Sequence, residues 1–334
     1  MVTVGELLGR RGGCEWNGWI VFAAVITLMQ LNGLNLYGSL EPAEQERFAR
    51  LEALVRDRGP DVLAVQEIIA KGDDAEKRRG AVEGVRRLAE ATGLCCEVSG
   101  EPAVAVGGVF HHTAVLWKPG IEPVPGTLRT LTRSPAGMWH CATAVVLDVG
   151  GPLLRAGSVQ LSPFDQVWAI ADAKQLTAMF NVDATAGFAG GDYNGIGATQ
   201  VITGEDYVYY DHNPYVGRFA PPWHPDHGYQ FDEEGNLDRR AAIRLEHPRL
   251  GAMRDCAVLA GSPWTPTTGF HRDDRHPPRR VDRWYATNHV PDGAVTASRV
   301  VDRDAVKAVI AGVEMDLTDH LPTEIDVDEH ALAA

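Results

Sequence analysis

The segment Ile26-Thr27-Leu28-Met29-Gln30-Leu31-Asn32 is a near-continuous apolar run that closes on a polar residue. A second run, Asp61-Val62-Leu63-Ala64-Val65-Gln66-Glu67, closes on an amide and a carboxylate. Short runs that are apolar at successive positions suit strands buried on both faces. Between them, Phe48, Leu51, Leu54 and Val55 recur at helical spacing within residues 41–58, with charges on the other side, and Gly59-Pro60 ends the helix. Strand, helix, strand implies a parallel crossover. Two parallel neighbours end at the same edge of a sheet, so Asn32 and Glu67 are expected side by side at one strand end.

The remaining chain continues the α/β pattern. A helix is expected over 75–92, with Val82, Val85, Leu88 and Ala89 as its buried face. Residues 103–109, 113–117, 141–148 and 153–161 are strand candidates, with Lys118-Pro119-Gly120 as a turn. Residues 165–180 read as a helix with Val167, Ile170, Ala171, Leu176 and Met179 apolar. Residues 204–250, rich in His, Asp, Pro and Tyr, read as surface loops with a short helix near 238–245. His212, His224 and His227 lack partners at a recognisable metal-ligand spacing and are expected to be solvated. Residues 280–286 suggest a strand of alternating polarity, 303–311 a short helix, and 323–327 another alternating strand.

A chain of 334 residues, 45% hydrophobic, has ample material for a core, and its 35 glycines and 20 prolines mark no linker. One domain over residues 25–330 is expected. The net charge of −14, from 45 acidic and 31 basic side chains, works against attraction to long nucleic acid. Five cysteines without metal-ligand spacing fit a reducing compartment, hence the cytoplasm. Arg10 and Arg11 precede an apolar run over 20–29, but Trp16-Asn17-Gly18-Trp19 is too polar for the core of a secretion signal, and the run is too short to span a bilayer. Residues 1–24 therefore read as an appendage before the first strand.

The most chemical stretch is Gly190-Gly191-Asp192-Tyr193-Asn194. Its glycines allow close backbone approach at a sheet edge. In an extended segment Asp192 and Asn194 would project to one side while Tyr193 faces the core. A carboxylate beside a carboxamide suits holding a phosphate, a water and a hard metal ion, although alone this composition is that of a turn.

Asn32, Gln66-Glu67, Gly191-Asp192-Tyr193-Asn194, Arg280-Val281-Asp282 and Asp319-His320-Leu321-Pro322 together resemble, in order and spacing, the motifs of the endonuclease/exonuclease/phosphatase superfamily, the DNase I-like fold. The resemblance runs over about residues 26–328 and implies a four-layer α/β architecture, a two-sheet sandwich with outer helices and the motifs at one rim. It implies Glu67 as the principal ligand of Mg²⁺ or Mn²⁺, with Asn32 and Asp319 nearby, consistent with the hard oxygen ligands such ions take. It implies His320 as general base, Asp282 as the group orienting its imidazole, and Asp192 and Asn194 as positioning the nucleophile and phosphoryl oxygens.

One position departs from that pattern. Gln160 in Ser158-Val159-Gln160-Leu161 stands where many members have a His, and a carboxamide cannot donate a proton to a leaving group. The expected function is a metal-dependent hydrolase of phosphoesters acting on a small phosphorylated molecule or nucleotide. The alternatives are a nuclease, and a member turned to other biosynthetic chemistry or binding alone, with Gln160 as its mark.

Overall fold

The structure, a computed structural model, describes residues 13–16, 19–22, 25–132, 137–271 and 273–333. The first expected strand is longer than its apolar run, as β1 (Val25–Leu36), and is followed by α1 (Pro42–Arg58), β2 (Val62–Ile69) and α2 (Asp74–Thr92). Strands β1 and β2 pair in parallel with Asn32 opposite Gln66, as the crossover requires. The chain continues through β3 (Val104–Ala105), β4 (His111–Trp117), β5 (Glu122–Pro123), β6 (Arg129–Leu131), β7 (Cys141–Asp148), β8 (Leu153–Gln160), α3 (Gln166–Phe180) and β9 (Ala186–Asp192). Then come α4 (Arg240–Glu246), β10 (Arg254–Asp255), β11 (Asp282–Ala286), β12 (Val295–Val300) and β13 (Thr323–Asp328).

These strands build a six-stranded sheet, β12-β13-β1-β2-β4-β3, and a seven-stranded sheet, β6-β7-β8-β9-β11-β10 with β5 against β7. Phe48, Leu51 and Val55 of α1 and Val85 and Leu88 of α2 pack on Met29, Leu31, Leu63 and Val65 of the first sheet. Ala173, Leu176 and Phe180 of α3 and Leu245 of α4 join Ala144, Val159, Ala189 and Tyr285 of the second. The result is the expected four-layer sandwich with helices outside. Among the described residues no helix is long and apolar enough to cross a membrane.

Strand periodicity explains where a site can form. Alternate residues of each strand face the gap between the sheets. In β1 these are Ile26, Leu28, Gln30 and Asn32; in β2, Val62, Ala64 and Gln66; in β8, Leu154, Ala156, Ser158 and Gln160. In β9 they are Ala186, Phe188, Gly190 and Asp192, and read from their far ends β11 runs Ala286, Trp284, Asp282 and β13 runs Val327, Ile325, Thr323. The apolar members form one buried core between the sheets. Every stripe turns polar at the same rim. Gly190 marks the change, because a Cβ there would lie 2.6 Å from the Trp284 ring.

Several local expectations are corrected. Of residues 103–109 only Val104–Ala105 is strand. Residues 303–311 are not a helix: a single helical turn, Arg303–Val306, leads into the hairpin Lys307–Ile310 and Val313–Asp316. Ala311 and Gly312 both take positive φ, the geometry of a tight hairpin turn, and the run Val309-Ile310 favours strand. Strand β11 is buried on both faces instead of alternating, with Arg280 just before it paired to Asp211 at 2.8 Å and to Asp255. Helix α3 turns Ala169, Asp172, Ala173 and Leu176 inward and leaves Val167 and Ala171 exposed, because apolar residues occur around its whole circumference. His227 is not a solvated loop residue: it is buried, with Nε2 2.8 Å from the Arg275 carbonyl. Of the expected appendage, residues 1–12, 17–18 and 23–24 lie outside the described residues, and Gly13–Trp16 pairs with Trp19–Phe22 as a separate hairpin.

His112 fastens β4 to its surroundings in a way that depends on pH. Its Nδ1 accepts the Gly107 N–H at 2.9 Å and its Nε2 donates to the Ala70 carbonyl at 3.2 Å, so the folded ring is neutral. Burial holds it down to about 4 from an ordinary 6.5. Between these values the unfolded chain binds the proton and the folded chain does not, so this contribution is complete above pH 6.5 and drains away as pH falls toward 4. The loss should reach about 3 kcal/mol. Urea melts at pH 7.5 and 4.5 should show His112→Asn less stable than wild type at the higher pH, with a shallower acid decline; parallel declines would assign the acid sensitivity elsewhere.

Candidate active site

Register alone assembles much of the site. Across the second sheet Gln160 of β8 stands opposite Asp192 of β9, and Asp192 opposite Asp282 of β11. On the first sheet Thr323 stands opposite Gln30, and Asn32 opposite Gln66. Buried amides and hydroxyls join the two rows beneath the rim. Gln30 Nε2 donates to Gln66 Oε1 at 2.8 Å and to Asp282 Oδ1 at 3.0 Å. Gln66 Nε2 donates to Ser158 Oγ at 2.8 Å, and that hydroxyl donates to the Val65 carbonyl at 2.7 Å. A satisfied polar network in a low-dielectric gap is rigid.

Glu67 reaches the site through a break in its strand. Val65 and Leu63 face the helices, so strict alternation would send Glu67 to that side too. Its φ of +63°, at a register shift between Val65 and Ile68, re-aims the side chain toward the rim. A non-glycine residue in this region is strained, and bulges that redirect side chains concentrate at functional sites. Glu67 Oε1 accepts from Gln160 Nε2 at 3.0 Å and Asn32 Nδ2 at 3.2 Å, and Oε2 from the Asn35 N–H at 3.1 Å. Burial alone would raise its carboxyl, but His111, His320, the Asn35 N–H and the Asn32 amide outweigh it and hold the group below its usual range.

His320 and Asp282 form a close pair, Nδ1 to Oδ2 at 2.8 Å. The Thr267 hydroxyl donates to the same oxygen at 2.7 Å. With Nδ1 donating to the carboxylate, Nε2 is the nitrogen left to exchange a proton. Burial disfavours the imidazolium, but Asp282, Asp319 and Asp192 outweigh it and push His320 well above its ordinary value. Asp192 goes the other way for a carboxyl: burial, with Asp282 and Glu67 adding to it, lifts it to about 7. Asp319 is raised as well, by burial first and then by Glu67. For both carboxyls burial is the largest cause, and the neighbouring carboxylates add to it.

Asn194 corrects the extended picture of its motif. Its φ is +48°, its N–H donates to Asp192 Oδ1 at 2.9 Å and its Nδ2 to the Leu161 carbonyl at 2.9 Å. The residue thus folds a turn that fixes Asp192, while Tyr193 is buried as expected. Asn32 is fully buried, with Nδ2 also 3.4 Å from Asp192 Oδ2 and Oδ1 taken by the Leu34 N–H at 3.1 Å. Both amides brace the carboxylates in this arrangement.

Three further residues at the rim belong to no motif of the sequence. His111 lies beside Glu67, Nε2 to Oε2 at 4.0 Å, and His140 lies next to it, ring centroids 5.3 Å apart. Strands β4 and β7 run antiparallel to β2 and β8, so residues at their starts share the rim with Glu67 and Gln160, and that topology is the signal that finds both histidines. The third is Arg47 of α1. It donates to the carbonyls of Gly33 at 3.2 Å, Leu34 at 2.6 Å and Leu317 at 2.7 Å, latching the turn after Asn32 to the turn before Asp319. The Thr318 hydroxyl adds a bond to the Asn32 carbonyl at 2.7 Å.

No protein-family model and no curated protein matches the chain. Solved structures do. An endonuclease/exonuclease/phosphatase family protein from Bacteroides thetaiotaomicron superposes with a TM-score of 0.55 at 12% identity, covering 92% of this chain and 98% of that one. Truncated TDP2 from Caenorhabditis elegans gives 0.52 at 14% identity, over 91% and 97%. The fold is that of the endonuclease/exonuclease/phosphatase proteins. A functionally unknown conserved protein from Enterococcus faecalis V583 shares it, with a TM-score of 0.54 at 12% identity over 91% and 100%. At these identities the likeness is one of architecture.

The Arg47 latch is testable. Arg47→Met should leave the three carbonyls unpaired and cost about 2–4 kcal/mol in urea unfolding, with Arg47→Lys intermediate because an ammonium lacks the planar fork. A methionine variant as stable as wild type would show that the latch contributes nothing.

Proposed function

We propose that this chain is a divalent-metal-dependent phosphoesterase acting on a small phosphorylated molecule or nucleotide, built as one domain over residues 25–330. The observation that carries the reading is the cluster at the rim of this fold: Asp192, Asp282 and His320 bring possible ligand atoms within 4.8 Å of one another, Asn32 Nδ2 lies between Asp192 and Glu67, and Asp319 directly precedes His320. That donor set fits a hard divalent cation: the oxygens are carboxylate, and Asp192 and Asp319, raised by burial first and then by neighbouring carboxylates, are groups whose charged form a cation would favour. Glu67 and Asp319 would hold the cation, with Asn32 bracing Glu67. When bound, it would supply charge neutralisation on the phosphoryl oxygens.

The chain's own residues account for the other steps. His320 takes a proton from the attacking water through Nε2, and Asp282 fixes the tautomer and stabilises the imidazolium that forms. Asp192, held by the Asn194 turn, orients the water. A cation held by Glu67 and Asp319 would offset the part of the raised imidazole that comes from Asp319, and Asp282 would remain as its partner. Gln160 donates to Glu67 and offers no proton to a leaving group, which favours substrates whose alcohol departs readily. The same residue supports the second reading, a protein of this fold turned to non-hydrolytic chemistry.

Hydrolysis of bis(4-nitrophenyl) phosphate, 4-nitrophenyl phosphate and a dinucleotide, with Mg²⁺, Mn²⁺ or EDTA, decides between them. Turnover should require metal, His320→Ala should lower kcat by roughly 10²–10⁴-fold, and Glu67→Gln should also abolish the metal-induced rise in melting temperature. Absence of metal-dependent turnover on all three substrates would overturn the phosphoesterase reading.

A further inference from the structure

We propose that the rim carries a second subsite, an aromatic ledge that receives a planar heteroaromatic group, such as a nucleobase, attached to the phosphate held at Glu67 and His320. The placement of the phosphate rests on the phosphoesterase reading; the ledge rests on separate observations. From Glu67 a chain of rings leads outward. His111 stands 4.0 Å from the carboxylate and 5.3 Å from the His140 ring, and His140 stands 6.5 Å from Phe164 with the planes tilted by 31°. Trp139 packs edge-on to Phe164 at 5.2 Å and lies at 30° to Trp168 at 4.7 Å. At the outer end Phe164 is 57% and Trp168 45% exposed, so faces of both rings remain open to a ligand.

This ledge is built, not incidental. The buried Asp172 carboxylate accepts the Ser162 N–H at 2.9 Å and the Trp139 N–H at 3.3 Å. It thereby ties the loop carrying Phe164 and the strand entry carrying Trp139 and His140 to α3, which carries Trp168. Fixed aromatic faces bind flat rings at small entropic cost.

The inner end asks for polar atoms. His140 is 3% and Gln160 2% exposed, yet among the described residues His140 Nδ1, His111 Nδ1 and Gln160 Oε1 are buried without a hydrogen-bond partner. A hydrocarbon ring would leave them unpaired, at a penalty, whereas the edge of a heteroaromatic ring carries donors and acceptors. The acidic chain, at −14, disfavours a long polyanion, which points to a mononucleotide or a similarly short phosphoester.

Calorimetry with Mg²⁺ present tests this with adenosine 5′-monophosphate, phenyl phosphate and ribose 5-phosphate against wild type and the Phe164→Ala/Trp168→Ala double variant. Because both side chains are exposed, the variant should keep its melting temperature. Wild type should bind adenosine 5′-monophosphate about tenfold or more tighter than ribose 5-phosphate, with phenyl phosphate between, and the double variant should lose that preference. Equal binding of the three ligands, no binding of any, a preference that survives in the variant, or phenyl phosphate binding as tightly as the nucleotide would overturn the proposal. Hydrolysis is not the readout: a ledge-dependent preference in a protein that turns over nothing would keep the subsite and remove only the phosphoesterase reading.

Discussion

The Asp282 carboxylate has no exposure to solvent and is met by three side chains from different parts of the chain: Gln30 Nε2 at 3.0 Å, the Thr267 hydroxyl at 2.7 Å and His320 Nδ1 at 2.8 Å. A charge held this deep is tolerated only with such partners, and removing one of them typically costs several kcal/mol. The partners come from β1, from the loop before β11 and from the turn before β13, so satisfying Asp282 fixes the two sheet rims relative to one another. The Gln30, Gln66 and Ser158 chain extends this tie to β2 and β8. The site above is therefore positioned by a buried network, and the apolar core below supplies the stability that lets the strand ends be polar.

How much of this could be read from the sequence follows from which rule governs each residue. Asn32 and Glu67 were legible as neighbours because a parallel crossover forces it. The aim of Glu67 was not, because it depends on a positive φ at a bulge that reverses the alternation. Asp192 was legible from its strand end, whereas Asn194 turned out to fold back and brace it. His111 and His140 required knowing that β4 and β7 run antiparallel to β2 and β8. The buried Arg280 and the hairpin at Lys307–Ile310 and Val313–Asp316 were hidden for a different reason: tertiary pairing with Asp211 and Asp255, and a two-residue turn at Ala311-Gly312, overrode the local pattern.

On the proposed reading, two sets of rim side chains offer a place for the cation. Asp192, Asp282 and His320 bring possible ligand atoms within 4.8 Å of one another, and Glu67 and Asp319 are the rim carboxylates outside that set. The first set is already engaged. Asp282 uses Oδ1 for Gln30 and Oδ2 for Thr267 and His320, and His320 has one ring nitrogen committed to Asp282. A cation there would take the base out of service. Glu67 is hydrogen-bonded by two amide side chains and the Asn35 N–H, with His111 Nε2 4.0 Å from its Oε2, and none of these groups is the proposed base.

That division of labour, metal on Glu67 and proton transfer on His320, is the central claim. The anomalous difference map of a crystal soaked in Mn²⁺ tests it directly. The account predicts one strong peak within coordination distance of a Glu67 oxygen, about 2.0–2.2 Å for a small hard cation, on the Asp319 side, with the His320 to Asp282 bond intact. A peak on His320 Nε2 between Asp192 and Asp282, with Glu67 still held by Gln160 and Asn32, would contradict it.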